Sequence, residues 1–234
     1  MIQIRSGDFE KLGYVIVHGE AFARQMEVIR DAFIDDFQCK FTDNVARNRR
    51  IIKLLAEHIS VKQFFCHPAL NHLLKEQVGI GEIVQTGPVV THYTSADLTG
   101  NNYGLPYHQD WPSMGTSTRG VIVWTSLRDI DSEAPGLRLI PGSQKNGLWP
   151  GTQTESGYVL DQQDIDGFKD VEVAAGDLVL MSPYLVHKTK TVDLPTEWKL
   201  SLSCRYDDFS CDQWNGRDFV GAYGVSVDRS AYLR

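Results

Sequence analysis

Along the chain, the spacing of hydrophobic positions changes near residue 80. Before it, apolar residues recur every three or four positions, as in helices that bury one face. Phe22, Met26, Ile29, Ala32, Phe33 and Phe37 predict an amphipathic helix over residues 20–36, after a compact β-like run at residues 13–17. Thr42-Asp43-Asn44 offers an N-cap to a second helix through Ile51, Ile52, Leu54, Leu55 and Ile59. Ser60 is placed to cap a third through Phe64 and Phe65. Pro68 suits the first turn of a fourth through Leu70, Leu73 and Leu74, closed by Gly79. Arg47, Arg49, Arg50 and Lys53 read as the solvated face of a helix.

After residue 80 the period falls to two. Residues 82–93, with Val84, Val89, Val90 and Tyr93, predict a strand broken at Gly87-Pro88. Residues 94–104 are polar and turn-rich, a loop of the kind that serves as a lid. Residues 119–128 form a strongly β run, and Leu137–Ile140 a short strand ended by Pro141-Gly142-Ser143. Val171-Glu172-Val173 and residues 177–181 flank Ala174-Ala175-Gly176 as a hairpin-like pair, and residues 199–206 alternate as a last inner strand. Many short strands at regular spacing predict a mostly β sandwich or barrel core with α additions. The chain reads as one domain, 1–234: helical support over 1–80, β core over 81–210 and a C-terminal extension over 211–234.

Composition narrows the classes. With 234 residues, 42% hydrophobic and 23% charged, the chain can bury a sizeable core and resembles an ordinary soluble protein. A formal net charge of -7 argues against a nucleic-acid binder, which needs a basic face for phosphates. No apolar run reaches the length of a membrane span, and residues 1–8 lack the features of a signal peptide. Cys39, Cys66, Cys204 and Cys211 form no C-x-x-C pair. Reduced, mostly buried thiols in a cytoplasmic protein are the expectation.

The candidate chemistry lies in Leu105-Pro106-Tyr107-His108-Gln109-Asp110-Trp111-Pro112. On a strand, side chains alternate faces, so His108 and Asp110 point the same way and can share one metal ion. His187, directly after a predicted strand, is the candidate third ligand. Two imidazoles and one carboxylate form the facial triad of non-haem iron oxygenases, which leaves positions open for a co-substrate and dioxygen. His58, His67 and His72 fall in helical stretches, and His18 begins one. The facing of His92 on its strand is not set by alternation. All five read as structural. Lys199, Ser201, Ser203 and Arg205 share one strand face. Turned inward, the row needs an anionic ligand; turned outward, it leaves Leu200, Leu202 and Cys204 in the core. Pattern alone favours neither.

Taken together, these motifs resemble the phytanoyl-CoA dioxygenase family of Fe(II)/2-oxoglutarate-dependent oxygenases over roughly residues 10–210. The resemblance rests on the His108-Gln-Asp110 stretch, on Val121–Asp129 leading into Leu139-Ile-Pro-Gly-Ser143, on Gly176-Asp177 with a following His187, and on Lys199-Leu-Ser201 ending in Arg205-Tyr206. It implies a double-stranded β-helix, or jelly roll, with helices buttressing one sheet. It implies Fe(II) held by His108, Asp110 and His187, with 2-oxoglutarate and O2 as co-substrates. A basic residue on the strand after the distal histidine pairs with the far carboxylate of 2-oxoglutarate in that family. Here Lys199-Leu-Ser201 stands where Arg-x-Ser is usual, so the anchor is Lys199 with Ser201, or else Arg205. Gln144 replaces the histidine of a usual Pro-Gly-Ser-His, which is not an iron ligand. Related halogenases replace the carboxylate by a small residue, so Asp110 points to hydroxylation. The expected substrate is a small molecule, met by residues 94–104, the helical third, Trp111, Trp124 and Arg138. Alternatives are a zinc hydrolytic site on the same residues, a non-catalytic jelly-roll binding module, and a nucleic-acid demethylase, which the acidic charge opposes. No pattern in the chain bears on its oligomeric state.

Overall fold

Local signals place most elements in a computed structural model that describes residues 2–95, 104–154, 157–162, 165–192 and 198–219. An edge strand, β1 (Ile2–Asp8), and a short helix, α1 (Phe9–Leu12), precede β2 (Tyr14–Gly19). Three of the following helices carry apolar stripes: α2 (Glu20–Ala32), α3 (Val45–Leu55) and α5 (Pro68–Val78), with the shorter α4 (Ile59–Phe65) between the last two. Asn44 caps α3 by accepting from the Arg47 amide, and Gly79, at φ 77°, closes α5. Three expectations are corrected. The second helix does not run through Ile59: α3 ends at Leu55, and Ile59 opens α4. The α-helix predicted over 20–36 ends at Ala32 and continues as a π-helical turn over Phe33–Phe37, which keeps Phe33 buried. The cap of α4 is His58, whose ring accepts from the Ser60 amide, and Ser60 lies inside the helix.

The remaining elements are β3 (Ile83–Gln85), β4 (Val90–Thr94), α6 (Trp111–Met114), β5 (Val121–Ser126), β6 (Gly136–Leu139), β7 (Gly151–Thr154), β8 (Gly157–Leu160), β9 (Lys169–Val171), β10 (Leu178–Met181), β11 (His187–Lys190), β12 (Lys199–Asp208) and α7 (Asp212–Asn215). All pairings among the described residues are antiparallel. The large sheet runs β1-β2-β10-β5-β12-β3, with β4 also on β12. The smaller layer runs β11-β6-β9, and a backbone bridge at His108 links β11 to the β7–β8 hairpin. Two facing antiparallel layers form the jelly roll. The expected hairpin at residues 171–181 is absent: β9 pairs with β6 in the small layer, while β10 pairs with β2 and β5 in the large sheet. The chain crosses between layers at Ala174–Asp177, where the Asp177 carboxylate accepts from the Ala174 amide.

Strand alternation divides the core in two. Val15, Val17, Val123, Leu180, Leu200 and Leu202 face the helices and pack on Phe22, Met26, Ile29, Phe64 and Leu74. Ile16, Ile122, Trp124, Val179 and Met181 face the small layer and meet Leu137, Leu139 and Val171. The helices therefore brace the outer side of the large sheet, leaving its inner side for a site. Cys204 and Cys211 are buried, whereas Cys39 and Cys66 are exposed. No helix among the described residues is long and apolar enough to cross a membrane.

Candidate metal centre

His108 and His187 are directly opposed partners in an antiparallel bridge. The His108 amide donates to the His187 carbonyl at 3.0 Å, and the His187 amide donates back at 3.1 Å. Opposed residues project to one face, which brings the rings to 4.1 Å between centroids. Each ring is then oriented by its own chain. His108 Nδ1 lies 2.7 Å from the Pro106 carbonyl and His187 Nδ1 lies 2.9 Å from the Leu185 carbonyl. A carbonyl only accepts, so each Nδ1 carries the proton and each Nε2 presents its lone pair. Burial lowers His187 to about 4, with the neighbouring His108 adding to the effect and Asp110 opposing it.

Asp110 reaches the same point by another route. It does not continue a strand: its backbone is helical (φ −78°, ψ −22°) and it stands at the N-terminus of α6 without capping it. The shared orientation with His108 is present, but a turn and not strand alternation produces it. Asp110 Oδ1 lies 3.5 Å from His108 Nε2 and 3.9 Å from His187 Nε2. Its Oδ2 accepts from Arg205 at 2.7 Å. Burial works to raise the Asp110 carboxyl, and the Arg205 guanidinium overrides it, holding the group well below the usual carboxylate range. Gln109, between the ligands, points away and is buried. Its amide nitrogen donates to the carbonyls of Gly147 (2.9 Å) and Tyr184 (2.5 Å), and its oxygen accepts from the Trp149 amide (2.8 Å).

One ligand atom from each of His108, Asp110 and His187 lies within 4.8 Å of the others. Two imidazole lone pairs and one carboxylate at this spacing suit a divalent transition metal such as iron. The cluster forms the base of a cavity of about 650 Å³, counted with its open mouth. The undecided face of β12 is settled here: Lys199, Ser201, Ser203 and Arg205 line the cavity, and Leu200, Leu202 and Cys204 enter the helix-side core. Lys199 donates to the Asp129 carbonyl, and Arg205 donates to Ser203 at 2.7 Å as well as to Asp110. One step further along the same face, buried Asp207 accepts from the hydroxyls of Thr116 and Ser117 and from the Ser117 amide at 3.1 Å, fixing the loop after α6.

His92, read as structural in the sequence, lines the cavity with Ser126 and Trp124. Register was the missing signal: His92 and Ser126 are the partners of Ser201, and Trp124 is the partner of Ser203, so all share its face. Of the other expected contacts, Trp111 is fully buried, donates to the Ser117 carbonyl and stacks on Tyr184. Arg138 pairs with Asp170 at 2.6 Å and does not line the cavity. No described residue before His92 lines it, so the helical third makes no contact there. Of the 94–104 loop, Thr94 lines the cavity, and residues 96–103 lie outside the described residues.

A jelly roll with two histidines and a carboxylate converging on its cavity has the donor set that a non-haem metal ion requires. The sequence pattern of the phytanoyl-CoA dioxygenase (PhyH) family matches residues 9–193, and the chain belongs to that family. Solved structures of similar fold include a non-heme monooxygenase, ThoJ, at 18% identity and TM-score 0.63, covering 86% of this chain and 75% of its own. The epimerase SnoN, solved with Fe3+, alpha ketoglutarate and nogalamycin RO, is 16% identical with TM-score 0.62, covering 86% of this chain and 80% of its own. EvdO2 from Micromonospora carbonacea var. aurantiaca, complexed with 2-oxoglutarate, is 15% identical with TM-score 0.60, covering 90% of this chain and 96% of its own. No curated protein matches the chain by sequence.

Proposed function

We propose that this chain is an Fe(II)- and 2-oxoglutarate-dependent dioxygenase that hydroxylates a C–H bond of a small molecule. The observation that carries the reading is the convergence of His108 Nε2, His187 Nε2 and Asp110 Oδ1 at the base of a cavity walled by a basic strand. Iron, when bound with 2-oxoglutarate and O2, supplies the oxidation, with succinate and CO2 as co-products. What the chain supplies is position, charge and exclusion of water. His108 and His187 hold the metal with rings fixed by the Pro106 and Leu185 carbonyls.

Lys199 is the proposed anchor for the far carboxylate of 2-oxoglutarate. From Lys199 to Arg205, β12 spans roughly 20 Å, with Ser201 and Ser203 along the floor between the two long side chains. Arg205 is engaged on the metal-site carboxylate, whereas Lys199 lines the cavity with its ammonium on a main-chain carbonyl, that of Asp129, and carries no ion pair to a ligand of the proposed metal. Ser201 offers a hydroxyl beside it, and Trp124 and Leu137 make part of the cavity wall apolar.

The test is succinate formation from 2-oxoglutarate by protein loaded with Fe(II) under anaerobic conditions and then exposed to air. Wild type should show turnover, His108→Ala none, and Lys199→Ala a raised KM for 2-oxoglutarate. Zinc-supported hydrolysis without succinate would remove the oxygenase reading. Once a substrate is found, oxygen incorporation into the product separates hydroxylation from epimerisation, which leaves the product's composition unchanged.

A further inference from the structure

Asp110 is a largely buried carboxylate, its side chain 9% exposed at the cavity wall. Such a group needs a counter-charge or several hydrogen bonds, and the two Nε2 atoms at 3.5 and 3.9 Å are too distant to donate. The counter-charge comes from Arg205, itself buried and tied to Ser203, whose guanidinium lies 2.7 Å from Asp110 Oδ2. Oδ2 is thereby occupied, and Oδ1 is the oxygen left facing the imidazoles.

The geometry points to Arg205 as a positioning residue that stands in for the metal's charge, keeping Asp110 aimed in the metal-free protein and moderating the affinity of the filled site. The inference rests on the metal-centre reading above. Its sign differs from that of the usual outer partner. A carboxylate or carbonyl behind a ligand histidine strengthens the ligand. A guanidinium on a ligand carboxylate draws charge away from it and repels the incoming dication. Arg205 thus stabilises the metal-free protein at the expense of tight metal retention.

The experiment measures Co2+ affinity by calorimetry, and thermal unfolding with and without Co2+, for wild type, Arg205→Met and Arg205→Lys. Arg205→Met should bind Co2+ at least about tenfold tighter than wild type, as expected for removing a like charge at short range in a partly desolvated site. It should also melt lower than wild type without metal, and saturating Co2+ should close most of that gap. Arg205→Lys, which keeps the charge and loses the fork, should fall between the two. Unchanged or weaker Co2+ affinity in folded Arg205→Met overturns the inference. So does unchanged Co2+ affinity combined with a loss of 2-oxoglutarate affinity equal to that of Lys199→Ala, which would make Arg205 a co-substrate anchor. Should Arg205→Met fail to fold without metal, the Asp110→Asn background decides. There the carboxylate is gone, so adding Arg205→Met should cost no further melting temperature, and a double variant that still fails to fold overturns the inference. His108→Ala binding Co2+ like wild type would instead remove the metal-centre reading itself.

Discussion

Replacing Gln109 by alanine should damage the site from behind while touching no ligand. The side chain is 1% exposed and joins three segments. It holds the Gly147 carbonyl and the Trp149 amide on one side and the Tyr184 carbonyl, in the turn leading to His187, on the other. Alanine removes this partner from two carbonyls and one amide. A buried polar group left unpaired costs about 1–3 kcal/mol, so three give about 3 kcal/mol at the low end. The low end applies because the void left by a glutamine side chain admits water, which recovers part of the bonding. Gln109→Met is the sharper variant: it fills the void, excludes water and should cost at least as much as alanine. Urea unfolding of metal-free protein reads the stability, and Co2+ titration reads the site, where loosening of Asp110 relative to His187 should weaken binding about 10–100-fold. A loss below 1 kcal/mol in both variants, with Co2+ affinity unchanged, would refute the reasoning.

Three further outcomes are expected. His187 is lowered to about 4 against an ordinary 6.5, so between those values the unfolded chain takes up a proton that the folded chain does not. Metal-free protein should therefore lose about 1.4 kcal/mol from this group for each pH unit dropped in that window, and His187→Gln should flatten the slope. Gly176→Ala places a Cβ 2.7 Å from the Ala23 Cα at φ +85°, a clash of backbone with backbone, and should lower stability by at least about 2 kcal/mol in urea unfolding. Lys199→Arg should tighten 2-oxoglutarate binding to the metal-loaded protein, because a fork replaces a point charge, and calorimetry returning weaker binding would count against Lys199 as the anchor.

The helical half was legible because its stripes are long and its ends are marked: Asn44, Pro68 and Gly79 sit where the cap chemistry predicts. His58 was not, since a ring nitrogen rarely competes with serine as a cap, and here it does. Strand β1 escaped notice because it is a largely exposed edge, Ile4 being 56% exposed, so no buried face marks it. The false hairpin at residues 171–181 shows the limit of local pattern: two runs around a glycine turn look alike whether they pair or change layers. The same limit shaped the reading of the site. His108, Asp110 and His187 were marked by residue type, yet the bridge that brings the two histidines together is long-range, and the turn that delivers Asp110 has no alternation to follow. The direction of the Lys199–Arg205 face and the inclusion of His92 both depended on register across β4, β5 and β12.

The most direct test of the central claim is an anaerobic titration of metal-free protein with Fe(II), followed by 2-oxoglutarate, monitored by the visible charge-transfer absorbance of an iron-bound 2-oxo acid. Wild type should bind one equivalent of Fe(II) and develop absorbance only when both components are present, and His187→Ala should develop none. Equal absorbance in His187→Ala, or none in wild type that has bound both components, would contradict that claim.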